Sequence, residues 1–271
     1  MIKKGSLLGG ILLVSGTTVG VGMLALPVVT SFSGFFPSIG LLVMVWFLMT
    51  FTAFLLLEVN LWMKEEVNLL SMAEITLGKR AAFLCGVVYL FLLYCLTTAY
   101  LSTSAAALSD ACQKAFDVDL PIWISSVPYL VVFGMFVYLG TQYADLFNRL
   151  LMAGLVVSYM ILITSLPQHV KIEHLSFVKW KGRLVAISYI VLSFGFHIII
   201  PTLVTYFDRN IPLLKKALFW GSLVPLFVYI IWEYLVLGTL PLTGDDGLFS
   251  IWVEKKRIIS SLENVTRSPQ V

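Results

Sequence analysis

Apolar residues in this chain form long, nearly uninterrupted segments, and short polar loops separate them. A window of roughly 19 residues places the apolar segments at residues 5–30, 38–63, 81–109, 121–140, 147–166, 184–207 and 216–240. Each segment reaches or approaches the roughly 20 residues that a helix needs to cross the hydrocarbon core of a bilayer. The pattern predicts a membrane domain of about seven helices over residues 1–240 and a polar C-terminal tail over residues 241–271.

The composition agrees with a lipid environment. Of the 271 residues, 59% are apolar and 12% are charged, and a water-soluble core of this size cannot bury so much apolar surface. We therefore predict an all-α, polytopic membrane protein. The net charge is +3 and the basic residues are scattered over loops, which excludes nucleic acid as a main partner. The three cysteines have neither disulfide nor metal-ligand spacing.

The distribution of cationic residues over the loops predicts the orientation. With Lys3 and Lys4 inside, nine Lys and Arg residues lie on the cytoplasmic side and five on the outer side, which favours a cytoplasmic N-terminus. The loop over residues 167–183 opposes this assignment, because its cationic residues then face outward.

Two of the predicted spans contain helix-breaking residues near mid-membrane. The first span carries GTTVGVGMLALP at residues 16–27, and the sixth carries SFGFHIIIPTL at residues 193–203. An unwound helix in a bilayer exposes peptide groups, so it persists only where protein or a watery cavity satisfies them. A matched pair of interrupted spans is typical of secondary transporters that bind their substrate at the midplane.

The ends of interrupted helices suit one chemical class of ligand. N-terminal ends offer free N–H groups to a carboxylate, whereas C-terminal carbonyls suit an ammonium or a cation, and an amino acid has both groups. The alternative is that Gly16, Gly20 and Gly22 form a seam for close helix packing, and that Pro27 and Pro201 only kink their helices.

Ionisable residues within the spans are candidates for support or coupling. Glu58 is predicted either to brace the first span or to take part in proton coupling, and the alternative is a side chain that reaches the headgroups. His197 is predicted to contact substrate or carry a proton, or to cap loose backbone groups. Glu233 lies in the seventh span, and the sequence identifies no partner for it.

The third span carries a stripe of polar side chains at helical spacing. Tyr94, Thr97, Thr98 and Ser102 share one face, and of these we predict Tyr94 and Thr98 to line a substrate pocket. Hydroxyl groups bonded back to their own helix are the alternative.

The motif GTTVGVGMLALP, the LLLEV that follows it and the later SFGFHIIIPTL resemble the bacterial hydroxy/aromatic amino acid permease family, especially its tyrosine- and tryptophan-specific members. The resemblance covers residues 1 to about 245. It implies a leucine-transporter-type fold, with two inverted five-helix repeats whose first helices are broken around the substrate. It also implies proton-driven symport in the bacterial inner membrane. The matched positions implicate as site residues Thr17, Thr18, Gly20, Gly22, Ser193, Gly195 and His197.

The predicted helices cover only part of that fold, namely the N-terminal five-helix repeat and the first two helices of the inverted second repeat. We expect secondary active transport of tyrosine or tryptophan, coupled to a proton or another cation. The alternative is a truncated, non-transporting remnant or scaffold that needs a companion chain. The sequence contains no HExxH motif, no GxSxG motif and no facing His pair for haem. We therefore predict no enzyme activity, no cofactor and no metal.

Overall fold

The structure, a computed structural model, describes residues 5–63, 67–118, 120–139, 141–178, 183–244, 247–254 and 261–262. Its α-helices are α1 (Leu7–Thr18), α2 (Val21–Thr30), α3 (Phe35–Trp62), α4 (Leu69–Leu77), α5 (Lys79–Phe116), α6 (Ile122–Leu139), α7 (Thr141–Ser165), α8 (Ile172–Leu175), α9 (Arg183–Ser193), α10 (Ile200–Tyr206), α11 (Ile211–Thr239) and α12 (Leu248–Glu254). Two 3₁₀ turns lie at Pro167–His169 and Phe196–Ile199. The described residues contain no strand, and the predicted all-α class is confirmed.

Five stretches are long and apolar enough to cross a membrane: Phe35–Trp62, Lys79–Phe116, Leu150–His169, Ala186–Tyr206 and Ile211–Thr239. Leu7–Thr18 and Ile122–Tyr138 are shorter apolar helices. The first predicted span is thus divided between α1 and α2, and the fourth coincides with α6. The total of seven crossings stays a prediction.

The first predicted span is interrupted at a glycine. The Ser6 side chain accepts a hydrogen bond from the Gly9 N–H and so begins α1. The helix ends at Thr18, after which Val19 is extended and Gly20 precedes the first residue of α2. Pro27 lies inside α2 without ending it, so the interruption falls at the glycine and not at the proline.

The sixth predicted span is interrupted in the same manner. Helix α9 ends at Ser193, and the chain continues through Phe194 and Gly195 into the 3₁₀ turn that leads to α10. Pro201 is the second residue of α10, where its missing N–H breaks no intrahelical bond. Helix α2 packs against α9, and α1 packs against the 3₁₀ turn at Phe196–Ile199. The two interrupted spans are therefore neighbours.

The chain divides into two units, the first formed by residues 1–72 with 160–271 and the second by residues 73–159. In the first unit, α11 packs against α1, α2 and α3. The packing of α1 on α11 is close, because a Cβ placed at Gly221 would lie 2.6 Å from the Val14 Cβ and 3.2 Å from the Ile11 carbonyl oxygen. A Cβ at Gly10 would meet the Phe207 ring and Ala217. Gly10 and Gly221 therefore permit the close approach of α1 to its neighbours. The packing seam considered for Gly16, Gly20 and Gly22 concerns other residues and stays a prediction.

The turn between α10 and α11 is joined to the end of α3. Asp208 and Arg209 adopt left-handed backbone conformations, with φ of 49° and 58°. The Arg209 guanidinium donates to the carbonyl oxygens of Leu61, at 2.7 Å, and Met63. These are among the last carbonyls of α3, where a cation offsets the partial negative charge of the helix end.

In the second unit, α5 and α6 pack against each other. The Ser109 hydroxyl donates to the Leu120 carbonyl oxygen at 2.7 Å and so closes the connection between them. Asp117 ends α5 in the left-handed conformation, with φ of 55°. Cys85, Cys95 and Cys112 are free thiols in this unit.

Part of the predicted polar tail is helical. Helix α12 begins at Leu248, inside the segment expected to be a tail, and packs against α2. The Phe32 ring lies 5.1 Å from the Phe249 ring and 5.7 Å from the Trp252 ring, both edge-on. Residues 245–246, 255–260 and 263–271 of the predicted tail lie outside the described residues.

The close packing of α1 on α11 leads to a stability prediction. The change Gly221→Ala will lower the free energy of unfolding by about 1–3 kcal/mol, because the added methyl group forces Val14 and the α1 backbone to move. The matched control is Gly40→Ala in α3, where a Cβ meets nothing within 4 Å and the better helix propensity of alanine should raise stability slightly. Thermal unfolding in mild detergent measures both. Equal stability of the two variants would contradict the packing described for Gly221.

Candidate functional site

The ends of the two interrupted helices meet at one buried side chain of α11. The Tyr229 hydroxyl lies 2.7 Å from the Thr18 carbonyl oxygen and 3.1 Å from the Ser193 carbonyl oxygen. Thr18 is the last residue of α1 and Ser193 is the last residue of α9. Tyr229 is 0% exposed, and its ring packs edge-on against Phe194 at 5.4 Å. A single phenol thus joins both interruptions. We call this meeting point of Thr18, Ser193 and Tyr229 the junction.

This arrangement gives the site both signs of partial charge. The carbonyl ends of α1 and α9 carry partial negative charge and converge on Tyr229. Immediately after each interruption another helical segment begins, α2 at Val21 and the 3₁₀ turn at Phe196. The N-terminal end of α2, which carries partial positive charge, therefore lies beside the first set of carbonyls. Gly20 and Gly195 are both exposed.

The hydroxyl groups of the predicted site residues are bonded to their own helices. Thr18 donates to the Val14 carbonyl oxygen at 2.7 Å, and Thr17 lies 2.9 Å from the same oxygen. Ser193 donates to the Tyr189 carbonyl oxygen at 2.8 Å. Thr18 and Ser193 contribute their backbone carbonyls to the junction, while Gly22 lies in the first turn of α2.

His197 lies in the 3₁₀ turn of the second interruption and contacts α3. Its Nε2 atom is 2.9 Å from the Thr52 hydroxyl oxygen. That hydroxyl also lies 3.0 Å from the Met49 carbonyl oxygen, and its single proton can serve one of these partners fully. If the Thr52 hydroxyl donates its proton to the Met49 carbonyl oxygen, the Nε2–H of His197 donates to the Thr52 oxygen. The contact fixes the imidazole between the second interruption and α3.

Glu58 lies on α3, where it is exposed. No hydrogen bond of its carboxylate is among those of the described residues. Its predicted role in bracing the first span or in coupling stays a prediction.

Tyr94 and Thr98 belong to the second unit, on α5. Tyr94 is 78% exposed, and Thr98 donates to the Tyr94 carbonyl oxygen at 2.8 Å, which is the back-bonded arrangement that we considered as the alternative. Thr98 also lines an open groove between α5 and α6, with Leu101, Ser102, Ile122, Trp123 and Ser126. Their predicted contact with substrate stays a prediction.

Tyr229 was not among the predicted site residues, although the sequence holds a signal for it. Ser222, Tyr229 and Glu233 are spaced seven and four residues apart, which places them on one face of a helix. All three are buried. Ser222 accepts from the Trp46 Nε1 and from the Thr50 hydroxyl, both at 3.2 Å. This polar face of α11 thus contacts α3 at Ser222 and both interruptions at Tyr229.

The fold and the site together define a multi-pass, all-α membrane protein built around two interrupted helices that share one polar junction. The chain belongs to the tryptophan/tyrosine permease family, whose model matches residues 3–271. This is a family of transport proteins and not of enzymes, so the predicted family and the predicted lack of enzyme activity are both confirmed.

Several relatives with assigned functions resemble the chain. A tryptophan-specific transport protein of Haemophilus influenzae is 32% identical, over 96% of this chain and 64% of its own length. The tyrosine-specific transport system 1 of the same organism is 30% identical, over 86% and 58%. Glutamine transporter 2 of Aliivibrio fischeri is 32% identical, over 86% and 61%. The chain spans about three fifths of the length of these relatives. No solved structure matches it.

The contact of Tyr229 with both interruptions leads to a prediction. The change Tyr229→Phe will lower the free energy of unfolding by about 1–3 kcal/mol, because two buried carbonyls lose their common hydrogen-bond donor. Thermal unfolding of the purified chain measures the effect.

The control is Tyr234→Phe, which keeps the edge-on ring contact of Tyr234 with Phe35. At this half-exposed position we expect a change within about 0.5 kcal/mol. If both variants unfold like the wild type, the Tyr229 hydroxyl does not hold the interruptions together.

Proposed function

We propose that this chain acts in secondary active transport of an aromatic amino acid, tryptophan or tyrosine, and that the substrate binds where α1–α2 and α9–α10 are interrupted. The observation that supports this most is the convergence of the Thr18 and Ser193 carbonyls on one buried hydroxyl. Membership of a permease family agrees with it.

The chemistry of the junction suits the two ends of an amino acid. An ammonium group has three N–H donors and can bond to the carbonyl ends of α1 and α9, which the Tyr229 hydroxyl, with one proton, cannot fully satisfy. A carboxylate suits the partial positive charge at the start of α2. Both half-helix ends lie within one turn of Gly20, so a single α-amino acid can contact both.

The names of the relatives support an aromatic side chain. Two of the three relatives described above are named for tryptophan or tyrosine, whereas the third is named a glutamine transporter. The backbone groups of the junction recognise only what all amino acids share. The side-chain preference must therefore be tested directly, with glutamine as a competitor.

We further propose that a proton drives the transport, as the family resemblance implies, and that the chain has the leucine-transporter arrangement in the bacterial inner membrane. In this arrangement α1–α2 and α9–α10 are the equivalent broken helices of two repeats. Their contact through α2 and α9 supports the assignment. His197, held by Thr52 beside the second interruption, and Glu58 are the coupling or supporting groups predicted from the sequence.

A ligand panel tests the proposed substrate. A ligand that binds only the folded form stabilises it by about 2.7 kcal/mol when present at a hundred times its dissociation constant. We expect tryptophan or tyrosine to raise the unfolding temperature of the purified chain, and glutamine to raise it less. Tryptamine lacks the carboxylate and indole-3-propionate lacks the ammonium, so both should fail.

The two truncated analogues are the matched controls, because they keep the indole ring and each removes one charged group. If tryptamine or indole-3-propionate stabilises the chain as much as tryptophan does, the site binds the indole ring and does not recognise the ammonium and carboxylate groups. No stabilisation by any amino acid would contradict the proposed site.

The proposed orientation leads to a separate prediction. Green fluorescent protein fused to the N-terminus will fluoresce, because it folds in the cytoplasm, and alkaline phosphatase fused to the same position will be inactive. Fluorescence and phosphatase activity in whole bacterial cells measure this. The reverse pair of results would place the N-terminus outside.

A further inference from the structure

A carboxyl group is fully buried where α2 packs against α11. Glu233 is 0% exposed, as is Thr30, the last residue of α2. The Thr30 hydroxyl oxygen lies 2.9 Å from Oε1 and 2.8 Å from Oε2 of Glu233. The same oxygen lies 2.8 Å from the Leu26 carbonyl oxygen.

The number of protons between these side chains indicates the state of the carboxyl. The Thr30 hydroxyl has one proton, and three oxygen acceptors lie within hydrogen-bond distance of it. If Glu233 is protonated, its O–H donates to Thr30, and Thr30 donates to Leu26. Each of the two protons then has an acceptor, and no charge is buried. If Glu233 is ionised, a buried carboxylate has one neutral donor, and such a charge is very costly to bury.

The surroundings of Glu233 supply no compensating cation among the described side chains. Helices α1 and α2, which pack against α11, contain no Lys, Arg, His, Asp or Glu in their described ranges. Other titratable or charged groups on α11 and on the elements that pack against it are Glu58, His169, Lys171, Glu173, His174, Lys215, Lys216, Tyr229 and Tyr234. Of these, His174 bonds to the Gly238 carbonyl oxygen at 3.0 Å, five residues beyond Glu233.

Glu233 is also connected to the candidate substrate site. It lies one helical turn after Tyr229 on the same face of α11, about 6 Å along the axis. Its partner Thr30 ends α2, the helix that begins at the first interruption. A change at this carboxyl therefore acts on the two helices that shape the junction.

We propose that Glu233 and Thr30 form a proton-binding site, in which the carboxyl carries its proton at neutral pH and donates it to the Thr30 hydroxyl. Loss of the proton leaves a bare carboxylate between α2 and α11 and favours their separation, so that water can reach the charge. The proton site rests on the proposed function, in which a proton drives transport. Glu233 would be the group through which that proton influences the position of α2.

Infrared spectroscopy of the purified full chain tests the protonation directly. A protonated carboxylic acid has a C=O stretch at a frequency free of amide and carboxylate bands. We expect this band at neutral pH and expect its loss in Glu233→Gln. The Thr30→Val variant should keep the band but move it to higher frequency, because the carboxyl loses its hydrogen-bond partner.

The control is Glu74→Gln on α4, at an exposed position, which should leave the band unchanged. Because glutamine has the shape of a protonated carboxyl and also has a donor for Thr30, Glu233→Gln should unfold at nearly the wild-type temperature. An absent band at neutral pH, or a band that persists in Glu233→Gln, overturns the proposal.

These outcomes are distinct from those of the substrate test. If tryptophan or tyrosine stabilises the chain but the band is absent, the proton site is wrong and the proposed function stands. If the band behaves as expected but no amino acid stabilises the chain, the proton site stands and the proposed function fails.

Discussion

In a bilayer, every peptide group of a spanning segment needs a partner inside the protein, because lipid offers none. Each interruption in this chain frees carbonyl groups at the end of a half-helix. The Tyr229 hydroxyl reaches one such carbonyl from each interruption. It also fixes the interruptions beside each other, so the position of α11 determines where the polar junction lies.

Helix α11 serves this purpose because one of its faces is polar along several turns. Ser222 joins it to α3, Tyr229 to both interruptions and Glu233 to α2. Each side chain forms at least one hydrogen bond to a neighbouring helix or interruption. Helix α11 also approaches α1 closely, and the lack of a side chain at Gly221 makes this approach possible. The same helix thus combines tight backbone packing with specific polar contacts.

The sequence predicted best those features that depend on the local helix propensity of single residues. Glycines within apolar spans predicted both interruptions, since glycine is the residue that helices tolerate least after proline, and both lie at a glycine. Tyr229 was missed because its role depends on which helices surround it, and a tyrosine in an apolar span does not reveal this. The helix at Leu248 was missed because it is too short for a rule based on bilayer thickness, although its aromatic residues pack on Phe32.

The close approach at Gly221 also restricts how the first span can move. The α1 backbone lies directly against α11, so a movement of α1 relative to α11 would disrupt this close packing. On the other side of Gly20, α2 meets α11 through the Thr30 and Glu233 side chains. Gly20 therefore separates a helix that α11 holds by backbone packing from a helix that α11 holds by side-chain hydrogen bonds.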